Sequence, residues 1–284
     1  MKIAVIGAHG MLGADFCDYI ASKDIDLVKW DIPEMDITNV DRTIATIKRE
    51  KPNIIFHFAA YTDVDGAEIE KAKAYAVNTQ GTWTLALAAK EIKAKLLYMS
   101  TDYVFDGTQE TGYNESDKPN PINYYGLTKL LGEKAIIQHL KKYYIVRTSW
   151  LYGKNGKNFV TTILKIAKEK ENLEVVSDQI GCPTYTKDLC EHLFNIANKE
   201  HYGIFHLTNS GKCSWYQLAC EIIKQAGLKN SVSPILSDKI NRPAKRPSNS
   251  VLENHNYQSI FKNNLRPWNE ALKDYLLELG IKQP

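Results

Sequence analysis

A run of spaced glycines close to the N-terminus constrains the fold of this chain more than any other feature. The segment GAHGMLG occupies residues 7–13, directly after the apolar run KIAVI and directly before an amphipathic stretch. Gly7 suits a tight turn, Gly10 lets the backbone approach a diphosphate, and Gly13 lets a helix pack closely on a strand. A strand before and a helix after such a loop predict a unit that binds a dinucleotide.

Short β-branched apolar runs alternate with longer amphipathic stretches throughout the first half of the chain. We predict strands from the former and helices from the latter. The predicted strands are residues 2–6, 26–30, 53–58, 94–100 and 143–146, and the predicted helices lie near 10–21, 40–50, 71–92 and 124–140. This alternation is typical of a parallel sheet that helices cover on both faces. The expected fold is α/β, a Rossmann-type doubly wound parallel sheet whose ligand lies at the carboxyl ends of the strands.

The alternation weakens after Arg147, where prolines mark several loops. Helices are predicted near 159–171, 187–198, 214–226 and 268–279, with one strand near 203–208. We therefore predict a dinucleotide-binding domain over residues 1–148 and a smaller C-terminal α/β substrate domain over residues 149–284. This division leaves room for the chain to cross back into the first domain.

Composition and charge exclude several classes of protein. Lys and Arg number 36 against 33 Asp and Glu, and a net charge of +3 over 284 residues is too small for a nucleic-acid surface or a polybasic membrane anchor. No apolar run approaches the roughly 18 residues of a membrane span. Five cysteines without a C-x-x-C pair argue against a disulfide framework or a zinc site, and no metal is expected. These features predict a cytoplasmic protein with a small-molecule partner.

Asp31 follows the second predicted strand, about 20 residues beyond the glycine loop, where an acidic side chain binds the adenosine ribose. The alternative is that Asp31 caps a turn. A carboxylate there repels a 2′-phosphate and favours NADH, but Lys29 and Arg42 are close enough in sequence to attract that phosphate, so NADPH and NADH both stay open. Asp36 and Ile37 are further candidates for the adenine edge.

Tyr125 and Lys129 form a Y-x-x-x-K pair on a predicted helix. Residues four apart share one helix face, so the ammonium is expected near the phenol, where it lowers the phenol's pKa and holds the nicotinamide ribose. The spacing alone is weak, since chance gives roughly one to two such matches in a chain of this composition. A second match, Tyr19 with Lys23, indeed lies on the first predicted helix.

Thr101 distinguishes the two matches. It ends the fourth predicted strand, between Ser100 and Asp102, and the helix that carries Tyr125 follows it. A hydroxyl at the carboxyl end of a central strand can orient a carbonyl beside an acid and its cation. The alternative for Thr101 is a strand-end cap. We predict Thr101, Tyr125 and Lys129 as the catalytic group.

Seven motifs in order across nearly the whole chain resemble the extended short-chain dehydrogenase/reductases, and within them the dTDP-4-dehydrorhamnose reductases. The motifs are GAHGMLG, AAYTDVDGAE, STDYVFDG, YYGLTK, RTSWLYG, DQIGCPT and RPAKRPSNS. The resemblance implies a Rossmann domain, a C-terminal nucleotide-sugar domain, and reduction of dTDP-4-dehydro-L-rhamnose to dTDP-L-rhamnose. The implied partners are NADPH, with NADH as a second option, and a nucleotide-sugar substrate. The sequence does not give the oligomeric state, and a homodimer is one option.

The resemblance also implies roles for single residues. Tyr125 becomes the proton donor, Lys129 its partner and ribose anchor, and Thr101 the hydroxyl that binds the sugar. Small Ala59 and Ala60 at the exit of the third strand let the cofactor lie against the backbone. The cofactor residues are Gly7, Gly10, Met11, Leu12, Gly13, Asp31, Asp36, Ile37, Ala59, Ala60, Tyr61, Thr62, Tyr125 and Lys129. The substrate residues are Thr101, Asp102, Tyr103, Trp150, Asn158, Gln179 and Arg246.

Three alternatives accompany this interpretation. Dehydratases of the extended group carry a glutamate after the Thr-Asp pair, whereas this chain has Tyr103, a poor base for a carbon-bound proton. Trp150 is either a sugar platform or an interdomain aromatic residue. The resemblance extends to the regulatory β subunit of methionine adenosyltransferase, which keeps the fold and the nucleotide site without reducing a sugar.

Overall fold

The computed structural model describes residues 1–281. Its strands are β1 (Lys2–Ile6), β2 (Asp26–Trp30), β3 (Ile54–His57), β4 (Lys95–Thr101), β5 (Tyr143–Thr148), β6 (Leu151–Tyr152), β7 (Asn172–Val176), β8 (Ile180–Gly181), β9 (Thr184–Tyr185), β10 (Gly203–His206), β11 (Cys213–Ser214) and β12 (Ser231–Ile235). Its helices are α1 (Met11–Ala21), α2 (Val40–Glu50), α3 (Val64–Ile69), α4 (Lys71–Tyr75), α5 (Thr82–Ile92), α6 (Tyr124–His139), α7 (Phe159–Ala167), α8 (Thr186–Ala197), α9 (Trp215–Gln225), α10 (His255–Phe261) and α11 (Trp268–Glu278).

A six-stranded parallel sheet organises the molecule. Its strand order is β10-β5-β4-β3-β1-β2, and every neighbouring pair is parallel. In this register Thr101 at the end of β4 lies beside Thr148 at the end of β5. The predicted Rossmann-type parallel sheet is confirmed, and the residues that follow β1, β3, β4 and β5 meet at one edge of it.

Side chains of alternating direction send the sheet's apolar residues into two cores. Ile3 and Val5 of β1 belong to one buried cluster, together with Phe16 of α1. Ala4 and Ile6 belong to the other. Because both faces of the strands are buried, the strands are nearly continuous apolar runs rather than alternating ones, which is why the sequence shows them clearly.

Part of the second half of the chain returns to this sheet. Strand β10 pairs with β5, and Gly203 to His206 lie opposite Tyr144 to Arg147. Helix α8 packs on α1, and its Leu193 joins the same core as Phe16. The segment 186–206 thus completes the parallel sheet.

A third core lies in the remainder of the C-terminal half. Helices α7, α9 and α11 contribute Val160, Ile222 and Leu272 to it. Three two-stranded sheets accompany these helices: β7 with β12, β6 with β9, and β8 with β11. The sequence analysis missed all three, because strands of two residues have no periodicity and β7 and β12 alternate only weakly.

The predicted helix at 71–92 is wrong as a single element. The chain forms α4, then a π-helical turn over Ala76–Gly81, then α5, while α3 precedes them. Such π turns inside helices frequently occur at functional sites. Among residues 1–281, no helix is long and apolar enough to cross a membrane.

Candidate active site

The glycine loop between β1 and α1 forms a backbone cradle with no room for side chains. Gly7 has a φ of +82°, and a Cβ there would lie 2.5 Å from the Ala59 backbone nitrogen. A Cβ on Gly13 would lie 1.9 Å from the Gly7 carbonyl oxygen. Gly10 is the N-cap of α1 and supplies no side-chain cap to its first turn. These N–H groups, at the positive end of the helix, suit a diphosphate, so the residues fit a dinucleotide.

Asp31 lies at the end of β2 and bonds to the same loop. One carboxylate oxygen accepts the His9 N–H at 2.8 Å and the other accepts the Ile32 N–H at 2.9 Å. The alternative prediction, a turn cap, is therefore correct. A carboxylate has about four lone pairs, so a ribose hydroxyl can still donate to Asp31. Asp36 is exposed and accepts from Thr38, so it presents no buried contact of its own.

The loop after β3, which carries Ala59 to Thr62, is fixed by a residue that the sequence analysis did not identify. Asn78 in the π-helical turn accepts the Tyr61 N–H at 2.9 Å. Its amide donates to the Tyr61 carbonyl at 3.1 Å and to the Thr128 hydroxyl at 3.0 Å. Asn78 thereby joins the loop to α6, next to Lys129. The sequence gives little signal for this role, because Asn78 begins the polar run NTQGT within the predicted helix.

Tyr125 lies in the first turn of α6, close to the end of β4. The Thr101 hydroxyl lies close enough to the Tyr125 phenol to act on its pKa, and the ring of Tyr103 lies edge-on to the Tyr125 ring with centroids 5.9 Å apart. A Cβ on Gly126 would lie 2.0 Å from the Tyr103 carbonyl, so this glycine lets the helix start against the strand end. The structure thus brings Thr101 and Tyr125 together, while Thr101 also caps the following turn by accepting the Tyr103 N–H.

The pKa of Tyr125 is raised to about 12, mainly by burial. This is opposite to the direction that the Tyr–Lys spacing predicts. Lys129 lies on the same helix, but its ammonium donates to the Met99 carbonyl at 2.7 Å and lies 4.1 Å from the Tyr98 ring centroid. Burial lowers the pKa of Lys129 to about 7, against the opposing effect of Glu133. Loss of hydration therefore has the largest effect on the pKa values of both side chains.

The second Y-x-x-x-K pair serves packing. The Lys23 ammonium lies 4.5 Å from the Tyr19 ring centroid and 5.2 Å from that of Phe194 on α8. This arrangement is a cation–π contact that helps to dock α8 on α1. The context argument that selected Tyr125 over Tyr19 agrees with these positions.

A buried ion pair lies behind α6, and the sequence analysis did not identify it. Glu133 on α6 accepts from Arg147 of β5 at 2.9 and 2.7 Å, and from the Ser100 hydroxyl at 2.5 Å. Both charged side chains are at most 2% exposed. The bond from Ser100 fixes α6 against β4, next to Thr101, and the pair with Arg147 fixes it against β5, one turn after Lys129.

Two polar atoms at the ends of β4 and β5 have no partner among the described residues. They are Oδ2 of Asp102 and the hydroxyl of Thr148, and both are buried. The other Asp102 oxygen accepts from Thr101 at 3.0 Å. Burial raises the pKa of Asp102 to about 7. Buried polar atoms are normally bonded, so this corner retains unused hydrogen-bonding capacity next to Thr101.

The predicted substrate residues lie in different surroundings. Arg246 forms a two-pronged pair with Asp65 at 2.8 and 2.6 Å and lies close to Tyr103. Asn158 is the N-cap of α7 and also donates to the Gly153 carbonyl and the Tyr275 hydroxyl, each at 2.9 Å. Asn158 therefore has a structural role, and its contact with substrate stays a prediction.

Gln179 and Trp150 complete the predicted set. Gln179 is 8% exposed and lies between β7 and β8. Trp150 lies between β5 and β6, where it is half-buried. No structural contact here tests either side chain as a substrate ligand, so both assignments stay predictions.

The chain is similar to characterised proteins over nearly its full length. The model of the family described as the RmlD substrate binding domain matches residues 1–281. The spore coat polysaccharide biosynthesis protein SpsK of Bacillus subtilis (strain 168) is 39% identical over 279 residues, which cover 98% of this chain and 97% of that protein.

Two solved structures superpose closely. A dTDP-4-dehydrorhamnose reductase from Clostridium acetobutylicum ATCC 824 has a TM-score of 0.96 at 40% identity, covering 99% of this chain and 100% of that one. A dTDP-4-dehydrorhamnose reductase from Bacillus anthracis str. Ames, in complex with NADP, has a TM-score of 0.95 at 38% identity, covering 98% and 99%. The resemblance that the seven motifs indicate is confirmed.

Proposed function

Because this chain belongs to the family described as the RmlD substrate binding domain, we propose that it reduces dTDP-4-dehydro-L-rhamnose to dTDP-L-rhamnose. It is an NAD(P)H-dependent oxidoreductase of dTDP-rhamnose biosynthesis. The observation that carries the proposal is the position of the Thr101 hydroxyl close to the Tyr125 phenol, at the strand edge that the glycine cradle also faces.

Tyr125 is the proposed proton donor. With a pKa of about 12, its phenol is fully protonated near neutral pH, yet it is still more acidic than the alcohol that forms. NADPH, when bound, supplies the hydride for the keto carbon at position 4 of the sugar. Tyr125 and Thr101 then hydrogen-bond the carbonyl oxygen, and Tyr125 passes its proton to that oxygen as negative charge develops on it.

Lys129 has two proposed tasks. Its ammonium lies within the buried face of α6 and is available to the ribose hydroxyls of the nicotinamide nucleotide. It also places a positive charge beside the reacting corner, and the nearby Glu133 carboxylate favours the charged form of Lys129. Asp102 and Tyr103 are the proposed contacts on the sugar side.

NADPH is the proposed cofactor, with NADH as a second option. The Asp31 carboxylate accepts two backbone N–H groups, which hold its negative charge where the adenosine ribose of the cofactor is expected. Lys29 and Arg42 are exposed nearby in sequence. The cytoplasmic location and the homodimer also stay predictions.

The deciding experiment follows NADPH absorbance with the purified chain and dTDP-4-dehydro-L-rhamnose, and identifies the sugar product. We expect NADPH oxidation that depends on the sugar, together with formation of dTDP-L-rhamnose. A matched reaction without sugar controls for spontaneous oxidation. Binding of NADPH without its oxidation would instead support a regulatory subunit. If NADPH is oxidised only with a different nucleotide sugar, that sugar becomes the assigned substrate.

A further inference from the structure

The backbone of Trp150 adopts a conformation that bulky residues rarely take. Its φ is +49°, in the left-handed region. Trp150 lies two residues after Thr148, which is the register partner of Thr101. The outlier is therefore at the edge of the sheet where the proposed reaction occurs, and such strain at a functional site indicates that neighbouring structure holds the residue in place.

Trp215 is one of these neighbours, and its indole stacks on that of Trp150. The two indoles are stacked with ring centroids 3.4 Å apart and an interplanar angle of 6°. Phe159 of α7 packs on Trp215 with centroids 4.5 Å apart, at 48°. The three rings form a ladder that leads from α7 to the strand edge.

Gly181 fixes the Trp150 indole at a second point. A Cβ on Gly181 would lie 2.4 Å from Cε2 of Trp150, so the indole occupies the space that a side chain would need. Gly181 pairs with Cys213 in the β8–β11 ribbon, and Trp215 is only two residues beyond Cys213. The β8–β11 ribbon thus positions both Trp215, which stacks on the Trp150 indole, and Gly181, whose missing side chain leaves space for that indole.

The start of α9 holds Trp215 in register. Ser214 is the N-cap, and its hydroxyl accepts the Gln217 N–H at 3.1 Å. The Gln217 side chain accepts the Ser214 N–H at 2.8 Å, which completes a capping box. The capping box therefore fixes the backbone from which the Trp215 ring projects.

We propose that Trp215 is a positioning residue for the sugar, because its stacked ring fixes the Trp150 indole at the sugar end of the site. The proposal rests on the proposed function, in which Trp150 contacts a nucleotide sugar. Both indoles are half-buried, so each retains a solvent-facing part. Without Trp215 the Trp150 side chain loses its stacking surface and samples other rotamers, and the nucleotide part of the ligand is unaffected.

Binding measurements with Trp215→Ala separate these parts of the ligand. We expect the dissociation constant of dTDP-L-rhamnose to rise about threefold to tenfold, the range of one aromatic pair, while that of dTDP changes less than about twofold. Trp215→Phe keeps a stacking ring and should restore most of the affinity for the sugar ligand. The control is Trp83→Ala, which removes a 40% exposed tryptophan from α5 and should leave both constants unchanged.

Circular dichroism tests the stack without any ligand. Parallel indoles in contact give a coupled signal, which should disappear in Trp215→Ala and persist in Trp83→Ala. If the signal disappears but dTDP-L-rhamnose binds as in the parent chain, the positioning role is wrong. An equal loss of affinity for dTDP and dTDP-L-rhamnose would also overturn it, as a general structural effect. Failure of the parent chain to bind dTDP-L-rhamnose would contradict the proposed function itself.

Discussion

The two sides of the proposed site are built by different interactions. The catalytic corner comprises Thr101, Tyr125 and Lys129 with the buried pair Glu133–Arg147, and buried hydrogen bonds between long elements of the central sheet hold it. The substrate side comprises Trp150, Trp215, Arg246 and Asp65. Its geometry is maintained by the stacked indoles and by an ion pair whose side chains are 12% and 34% exposed.

This difference has a physical consequence. A buried hydrogen bond with no water nearby cannot break without leaving an unpaired charge or dipole, so the corner has one geometry. A stacked ring or a partly exposed ion pair can shift at a cost of about 1 kcal/mol, so the substrate side can adjust to a ligand. Changes in the corner should therefore lower turnover or stability strongly, and changes on the substrate side should mainly alter affinity.

The largest effect is expected from Tyr125→Phe. Removing the phenol hydroxyl should lower kcat about 100-fold to 10,000-fold, because no proton reaches the forming alkoxide from this position. NADPH affinity should stay within about twofold, since the ring remains. Tyr19→Phe is the matched control, because Tyr19 begins the second Y-x-x-x-K match and serves packing against Lys23, Phe16 and Phe194. Steady-state kinetics that show an undiminished kcat for Tyr125→Phe would refute the assignment.

Glu133→Gln should be the most destabilising single change. It leaves the Arg147 guanidinium buried beside a neutral partner, a loss of about 3–5 kcal/mol in the free energy of unfolding. Denaturant unfolding measures this loss. The double variant Glu133→Met with Arg147→Met should recover most of the stability, because two buried apolar side chains replace the pair.

The same double variant separates stability from electrostatics. Glu133 raises the pKa of Lys129 against the burial that lowers it to about 7. Without the carboxylate that pKa falls further, so the ammonium is lost at a lower pH and NADPH affinity should decline from a lower pH than in the parent chain. Identical pH profiles of the NADPH dissociation constant would show that Glu133 acts only as a structural clamp.

The sequence predicted Thr101, Tyr125 and Lys129 better than the buried residues that hold them in place. Strand-end logic placed Thr101 next to the helix of Tyr125, because parallel strands and their following helices have few possible arrangements. Glu133, Arg147 and Asn78 could not be found this way. Their partners are distant in sequence, and a Glu or Asn within a helix is usually a solvent-exposed residue.

The substrate side was the least predictable from sequence. Arg246 was identified through a motif, but its bonds to Asp65 and its position near Tyr103 depend on how the loop that carries it folds back on α3. Trp215 has no local signal, because its partner Trp150 lies in another element. The direction of the Tyr125 pKa was also wrong, because sequence spacing reveals neighbouring charges but not the extent of burial.

Asp102→Asn tests the buried carboxyl group next to Thr101, outside the corner defined above. The pKa of Asp102 is raised from 3.8 to about 7, so between these values the folded chain holds a proton that the unfolded chain releases. Stability contributed by this group therefore falls as the pH rises, and the loss is complete above about pH 7. The amide variant should be more stable than the parent by up to about 4 kcal/mol at pH 8, and by much less at pH 4. Denaturant unfolding at both pH values measures this difference, and a difference that does not change with pH would contradict the burial of this charge.

The smallest effect is expected from Asp65→Asn on the substrate side. The amide keeps an acceptor for the Ala244 N–H but loses the charge that pairs with Arg246, whose side chain is 12% exposed against 34% for Asp65. The free energy of unfolding should fall by about 1 kcal/mol or less, a drop of roughly 2–4 °C in Tm. KM for the sugar should rise about twofold to threefold as the loop loosens, with kcat nearly unchanged.

The pH dependence and a matched surface pair make this last prediction decisive. The hydrogen bond from Arg246 lowers the pKa of Asp65 below its ordinary 3.8. The stability that the pair adds is therefore present at neutral pH, and it is lost as the pH falls through that lowered value. Glu91→Gln breaks the exposed Lys48–Glu91 pair, which joins α2 to α5 away from the site, and should change neither KM nor its pH dependence. If both variants raise KM equally, the Asp65–Arg246 pair has no particular role at the site, and the substrate side is held by the stacked rings alone.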